Sequence, residues 1–239
     1  VHMLYTEAHP RDYDNSVYHI FYRDGTLHRS DGTPIAPLTE GLASPSQGTL
    51  IFRGDADHVA WTVDIVLDTN ERPVVVYSVQ VGSAGLPPGQ GGDDIRYRYA
   101  RWDGEAWQDH ALAYAGSRLY AGEDDYTGLA AIDPDDPSTV YISTNAHPET
   151  GRPLISATDG RRHYEIWRGT TADGGTSWQW TPLTSDSTAD NLRPIIASAD
   201  GWRVFVWLRG SYRSYTDYQQ EVLGIIQQGR TGITRQSRR

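Results

Sequence analysis

Short runs of alternating apolar and polar residues recur four at a time along this chain, each run cut off by a turn signal. The clearest set is "TGLAAIDP", "DDPSTVYISTN", "HYEIWRGTT" and "TSWQWTPLT", four period-two segments within roughly fifty residues. A matching set precedes it: "WTVDIVLDT", "PVVVYSVQ", "IRYRYARW" and "AWQDHALAY". Three segments follow, "RPIIASADG", "WRVFVWLRG" and "EVLGIIQQ", and three lead, "VHMLYTEA", "VYHIFYRDG" and "TLHRSDG". Four antiparallel strands repeating at this period predict an all-β chain built as a β-propeller of four-stranded antiparallel blades. Composition agrees: 8 Trp and 15 Tyr supply bulky side chains for short twisted strands, against one Met and three Phe.

The strands can be numbered from "TADGGTSW", residues 171–178, which fits the Asp-box pattern Ser/Thr-x-Asp-x-Gly-x-x-Trp. In such a turn, at the hairpin between third and fourth strands, the carboxylate of Asp173 accepts backbone N–H groups, Gly175 supplies a positive φ, and Trp178 plugs the blade core. This is a folding device, not a catalytic motif. With it the strand count runs three, four, four and three, about three and a half blades, or up to five if residues 33–58 hide further strands. A closed ring needs about four to eight, so a fragment of a longer chain is expected, with residues 1–228 a partial propeller domain and 229–239, "GRTGITRQSRR" with its basic end, a tail.

Several function classes fall away early. Absence of cysteine excludes disulfides, thiol nucleophiles and thiolate metal sites. A net charge of −10 disfavours a nucleic-acid partner. No segment approaches the roughly 18 apolar residues of a membrane span, and the start lacks a signal-peptide pattern, so a soluble chain without its export signal is expected. Oligomeric state is not legible.

In an up-and-down blade the second-to-third connections share a face with the blade-to-blade connections. Here these are "HPRDYDNS", "VGSAGLPPGQGGDD", "AHPETGRPLISATDGRR", "SYRSYTDYQQ", "SRLYAGEDDY" and "SDSTADNLR", all rich in Tyr, Asp, Arg or Gly, whereas "DTNER", "DPDDPS" and "ADGGTS" opposite are tight and plain. Segregation of unusual loops on one face marks that face as functional. Ala8-His9-Pro10 even recurs as Ala146-His147-Pro148 at equivalent points.

His9 enters one of these loops. Tyr77 ends a second strand and Arg96 opens the third, so the pair is expected at one loop mouth. A histidine, a tyrosine and an arginine suffice for β-elimination of a uronic acid: one group takes the proton α to the carboxylate, one protonates the leaving oxygen, and the cation holds the charge that builds up. No cofactor or nucleophile is required. Residues 123–126, Glu-Asp-Asp-Tyr, read as a loop-fixing hydrogen-bond network or as oxygen ligands of a structural cation. Arg193 opens a blade at its inner edge, and Tyr126, His147, Tyr212, Arg213, Tyr215 and Tyr218 are sugar-stacking or hydrogen-bonding candidates; His28 is either packed or pocket-facing.

The phrases "TEAHPRDYDNSVYHIFYRDGTLHRSDGT", "YRYARWDGEAW", "LYAGEDDYTGLAAIDPDDPSTVYISTN", "HYEIWRGTTADGGTSWQWTPLT" and "DNLRPI" together resemble the BNR-repeat proteins that include the ulvan lyases. The resemblance implies a seven-bladed propeller, secreted or periplasmic in a bacterium, that cleaves a sulfated, uronic-acid-containing polysaccharide by β-elimination. It implies His9 and Tyr77 as acid and base in an order left open, Arg96 as charge neutraliser with Arg98 its rival, and His28 as a second pocket histidine. The cysteine-containing zinc site that family members carry has no counterpart here. Two other readings stand beside it: a sialidase-like glycoside hydrolase using Arg193, Arg209 and Tyr215, and a carbohydrate-binding propeller without turnover.

Overall fold

The computed structural model describes residues 1–82, 86–87 and 89–228. Residues 229–239, read above as a tail, and part of the "VGSAGLPPGQGGDD" connection lie outside them. The described chain is all-β: sixteen strands in four antiparallel sheets. The first sheet holds β1 (His2–Tyr5), β2 (Val17–Arg23), β3 (Thr26–His28), β4 (Pro34–Pro37) and β5 (Thr49–Phe52). The second holds β6 (His58–Leu67), β7 (Pro73–Val81), β8 (Ile95–Trp102) and β9 (Trp107–Gly116). The third holds β10 (Ala130–Ile132), β11 (Thr139–Thr144), β12 (Glu165–Thr170) and β13 (Gln179–Pro182). The fourth holds β14 (Asp190–Ala199), β15 (Trp202–Ser214) and β16 (Asp217–Gln228).

The three-strand expectation for the first sheet is corrected by β4 and β5, which occupy residues 33–58. Their signal is weak because β4 is only "PIAP" and β5 follows a 3-10 turn, Pro45–Gln47, capped by Ser44 and Gln47. β5 pairs with the start of β2 while β3 pairs with its end, so one strand serves two partners on one side. "SYRSYTDYQQ" is also corrected: β15 and β16 run through it, leaving a two-residue hairpin with Tyr215 exposed at the tip.

The sheets stack in series, β1 packing on β6, β6 on β10 and β10 on β14. No ring closes among the described residues. Alternation along β7 shows why the sheets stack: Val74 and Val76 join Tyr97, Tyr99, Ile132 and Ile142 between the second and third sheets, while Val75, Tyr77 and Val79 join Val17 and Phe52 between the first and second. A strand buried on both faces reads as an unbroken apolar run, and each fully buried valine contributes about 1.5–3 kcal/mol. A third core, Tyr141, Ile166, Phe205 and Trp207, joins the third and fourth sheets. Between β6 and β10 the link is a side chain: Asp64 accepts the Ile132 amide at 2.8 Å, and burial raises its pKa.

The Asp-box turn forms as expected, but its tryptophan packs between sheets. Asp173 accepts the Ser177 amide at 2.9 Å and the Ser177 and Thr171 hydroxyls at 2.6 and 2.8 Å, and Gly175 has φ +105°. Trp178 meets Tyr99 of β8 edge-on at 5.1 Å, and a Cβ on Gly175 would sit 2.5 Å from the same ring. The donors lower Asp173 from 3.8 to about 2, so its stabilising effect is full above pH 3.8 and lost as pH falls through about 2. Asp173→Asn is expected to flatten acid unfolding over that window in a pH-stability profile; an unchanged acid limb would exclude this role.

Candidate functional site

Hydrogen bonds place the unusual loops together. Those after β1, β7 and β11 meet the β9–β10 connection: Arg11 donates to Gly122 and Glu123, Gly89 and Gly91 to Asp124 at 2.8 and 3.0 Å, and Ser117 to Asn145 at 3.1 Å. The plain turns gather at the other end, where Tyr99 reaches Pro137 and Arg101 reaches Asp68.

The loop from residues 6 to 16 is tied at its base. Buried Asn15 grips both backbone groups of Ala8, at 3.1 and 2.7 Å, and Glu7 accepts the Ser16 amide and the Tyr18 hydroxyl. Its tip, His9-Pro10-Arg11, is thereby held against the β9–β10 connection. Arg11 pairs with Oε1 of Glu123, whose Oε2 lies 3.7 Å from Nε2 of His9. Nδ1 of His9 accepts the Arg11 amide at 3.1 Å, which assigns the lone pair of neutral imidazole to Nδ1 and its proton to Nε2, facing Glu123.

From His9 the site continues through aromatic rings. His9 meets Trp61 of β6 edge-on at 4.9 Å, Trp61 lies 5.6 Å from Tyr126, and Tyr126 and Tyr120 approach Tyr212 of β15 at 6.4 and 5.7 Å. Arg193 sits over both Tyr126 and Tyr212, 5.4 Å from each ring centre. Its Nη2 donates to the Tyr126 hydroxyl and, at 3.4 Å, to that of Tyr212, while its buried Nε has no partner. Among the described residues no carboxylate pairs with it. Arg193 also has φ +53°, at a bulge in β14, a left-handed conformation that costs a non-glycine residue about 1 kcal/mol or more and is typically held at functional sites. Burial raises the pKa of Tyr126, opposed by Arg193, so its hydroxyl is a proton donor at neutral pH.

The acidic run 123–126 is a loop-fixing network: Asp124 takes two glycine amides, Asp125 takes the Gln80 amide at 2.7 Å, and Glu123 takes Arg11.

The expected trio is not brought together. Tyr77 is fully buried, its hydroxyl donating to Asp109 at 2.7 Å, and it stands opposite Arg98 rather than Arg96. Burial above all, then Asp109, pushes its pKa far upward, so neither acid nor base work is open to it. Tyr77 is a core residue: strand parity put it on the inward face between two sheets. Arg96 is held bidentately by Asp94 at 2.6 Å and Arg98 by Asp109 at 2.6 Å, so both carry their own counter-ions. Tyr77→Phe is therefore expected to leave turnover within about twofold and to lower stability by about 1 kcal/mol, the worth of one buried hydrogen bond; a collapse of turnover in a folded variant would restore it as catalytic.

The remaining candidates divide. Tyr126 and Arg193 belong to the cluster. His28 is buried, stacked on Phe21 at 5.0 Å and bonded to the Thr26 carbonyl, which corrects its pocket-facing reading. His147 packs edge-on against Trp167 at 5.2 Å and accepts the Glu149 amide. Arg209 pairs with Glu221 and Tyr215 projects from a hairpin tip, so the hydrolase set does not converge on Arg193. Sequence reasoning missed Trp61 and the pairing of Arg11. Trp61 reads as one more inward residue in "HVAWTVDIVL", and Arg11 as a turn former.

The class these observations define is an all-β chain of antiparallel sheets carrying an aromatic, cationic cluster on one loop face. No family model matches the chain, and no curated protein matches it. Among solved structures it is similar to a β-fructofuranosidase variant from Microbacterium saccharophilum K-1, at 12% identity and a TM-score of 0.37, covering 90% of this chain and 49% of that one. The chain thus spans about half the length of that protein.

Proposed function

We propose that the four sheets are blades of a β-propeller and that the loop face binds an acidic polysaccharide and cleaves it at a uronic acid by β-elimination. One observation carries the reading: Arg193, with no carboxylate partner among the described residues, is held beside two tyrosine rings and their hydroxyls at a strained position. A guanidinium so placed grips a substrate carboxylate and stabilises the charge that moves onto it. Tyr126 and Tyr212 offer faces for sugar rings. His9 is the base: Nδ1 takes the proton α to the carboxylate, exchanging its local contact with the Arg11 amide, while Glu123 supports the imidazolium from the Nε2 side. As the carbon–oxygen bond breaks and the ring double bond forms, the Tyr126 hydroxyl protonates the departing oxygen. No step draws on a cofactor. A substrate of this kind, ulvan being one example, is met outside the cytoplasm, which fits a secreted or periplasmic protein.

Incubation with ulvan and other uronic polymers is expected to raise the ultraviolet absorbance of unsaturated uronic ends, and His9→Ala is expected to abolish that rise. The second reading, binding without turnover, is favoured by the Arg11 amide already sitting on Nδ1 of His9. Retention on a uronic-polymer column with no absorbance change would decide for it, and neither retention nor absorbance would remove both.

A further inference from the structure

A cavity of about 340 Å³ lies apart from the Arg193 cluster, lined by Phe52 of the first sheet, by His58 of β6, by β7, β8 and β9, and by Pro148 and Glu149 from the third-sheet loop. Its size falls at the lower end of the roughly 300–1,000 Å³ typical of small-ligand sites. β9 is bulged here twice, opposite Arg96 and opposite Arg98, so the strand bends away from β8 where both arginines lie on one face. The Tyr114 amide donates to the Pro148 carbonyl at 2.9 Å, fixing the cap over the opening.

The chemistry of the lining is specific. Arg96 lies over Tyr114 at 4.2 Å and Arg98 over Phe52 at 5.4 Å. Asp94 and Asp109 engage the Nε and Nη2 groups of these arginines, leaving each Nη1 without a hydrogen bond among the described residues. Because both guanidinium charges are balanced, His58 is paired with Asp55 at 2.9 Å, and Glu149 adds a negative charge at the rim, an anion gains little here. A ligand carrying both hydroxyl donors and acceptors gains much: the two Nη1 ends as donors, the Glu149 carboxylate at the rim as acceptor, and the apolar surface of Val79, Leu112 and Tyr114 for a ring's C–H face.

We propose that this cavity is a second carbohydrate site, taking one neutral pyranose residue and rejecting uronic acids. It stands independently of the elimination reading.

Nuclear magnetic resonance titration of the intact chain with methyl β-glucopyranoside, methyl β-xylopyranoside and glucuronate tests it. Saturable shifts are expected at the Nε–H of Arg96 and Arg98 and at the amides of residues 111–114 with the neutral glycosides, and binding at least about tenfold weaker with glucuronate. Exposed Ala111 lines the cavity, so Ala111→Trp fills the space without removing a contact and is expected to weaken neutral-sugar binding at least about tenfold, as is Tyr114→Ala. Arg193→Ala is expected to leave these shifts unchanged. The proposal is overturned by no saturable shift with either neutral glycoside, by glucuronate binding as tightly, by indifference to Ala111→Trp, or by shifts confined to the Arg193 cluster.

Discussion

Arg193→Ala is expected to lower kcat/KM on a uronic polymer by about 100- to 1,000-fold, the usual loss when one preorganised donor to a developing anion is removed. The loss should fall mainly on kcat, because charge on the carboxylate grows as the adjacent proton leaves; a rise in KM with kcat unchanged would instead make Arg193 a ground-state anchor. Arg193→Lys should recover little, since an ammonium on a flexible stem cannot form a planar fork while donating to the Tyr126 and Tyr212 hydroxyls. The most telling variant is Arg193→Gly. Glycine adopts φ +53° freely, so this chain should be as stable as the parent or about 1 kcal/mol more stable while losing activity equally. Strain that is relieved as activity disappears is the mark of a position held for function. If Arg193→Gly is instead strongly destabilised, the guanidinium is holding the loops together and the assignment of the site fails.

Much of this architecture was legible because the chain's punctuation is local. Period-two runs and turn residues placed most strands of the second, third and fourth sheets, and the Asp box gave the strand parity that set which loops share a face. β4 and β5 were hidden because their pairing is not local: β5 completes β2 across residues 24–48, and three or four residues carry no period of their own. The site was legible by face and illegible by depth. Parity places Tyr77 on the same strand as a functional loop, but the inward direction of its ring depends on the neighbouring sheet, where Phe52 and Val17 cover it. Arg96 and Arg98 looked available for the same reason: the carboxylates that balance them, Asp94 and Asp109, lie in a loop and on β9, and only the folded register brings Asp109 to Arg98. Arg193 had the opposite fate. In sequence it is one arginine at a strand start; in the structure a bulge, a positive φ, Tyr126 of the β9–β10 connection and Tyr212 of β15 converge on it.

Asn191, two residues before Arg193, should be among the costliest buried positions to change. It is almost wholly buried, and its side chain accepts the Trp207 indole N–H at 2.9 Å while donating to Ser187 at 2.9 Å and to Glu165 and the Tyr164 carbonyl at 3.2 Å. Its own carbonyl accepts the Ser143 hydroxyl at 2.6 Å. Asn191→Ala leaves the indole N–H without an acceptor and strips a donor from buried Glu165. At about 1–3 kcal/mol for each orphaned buried group, the loss should be about 3–5 kcal/mol, or about 10 °C in Tm for a chain of this size. Asn191→Asp keeps the acceptor for Trp207 but sets a second carboxylate beside Glu165, so it should be destabilised at neutral pH and recover as acid neutralises one of the pair. Because β14 starts at this node, the bulge at Arg193 loosens with it, and turnover should fall further than the folded fraction accounts for. Denaturant unfolding of Asn191→Ala within about 1 kcal/mol of the parent would show that the network is dispensable and that Arg193 is positioned by its tyrosines alone.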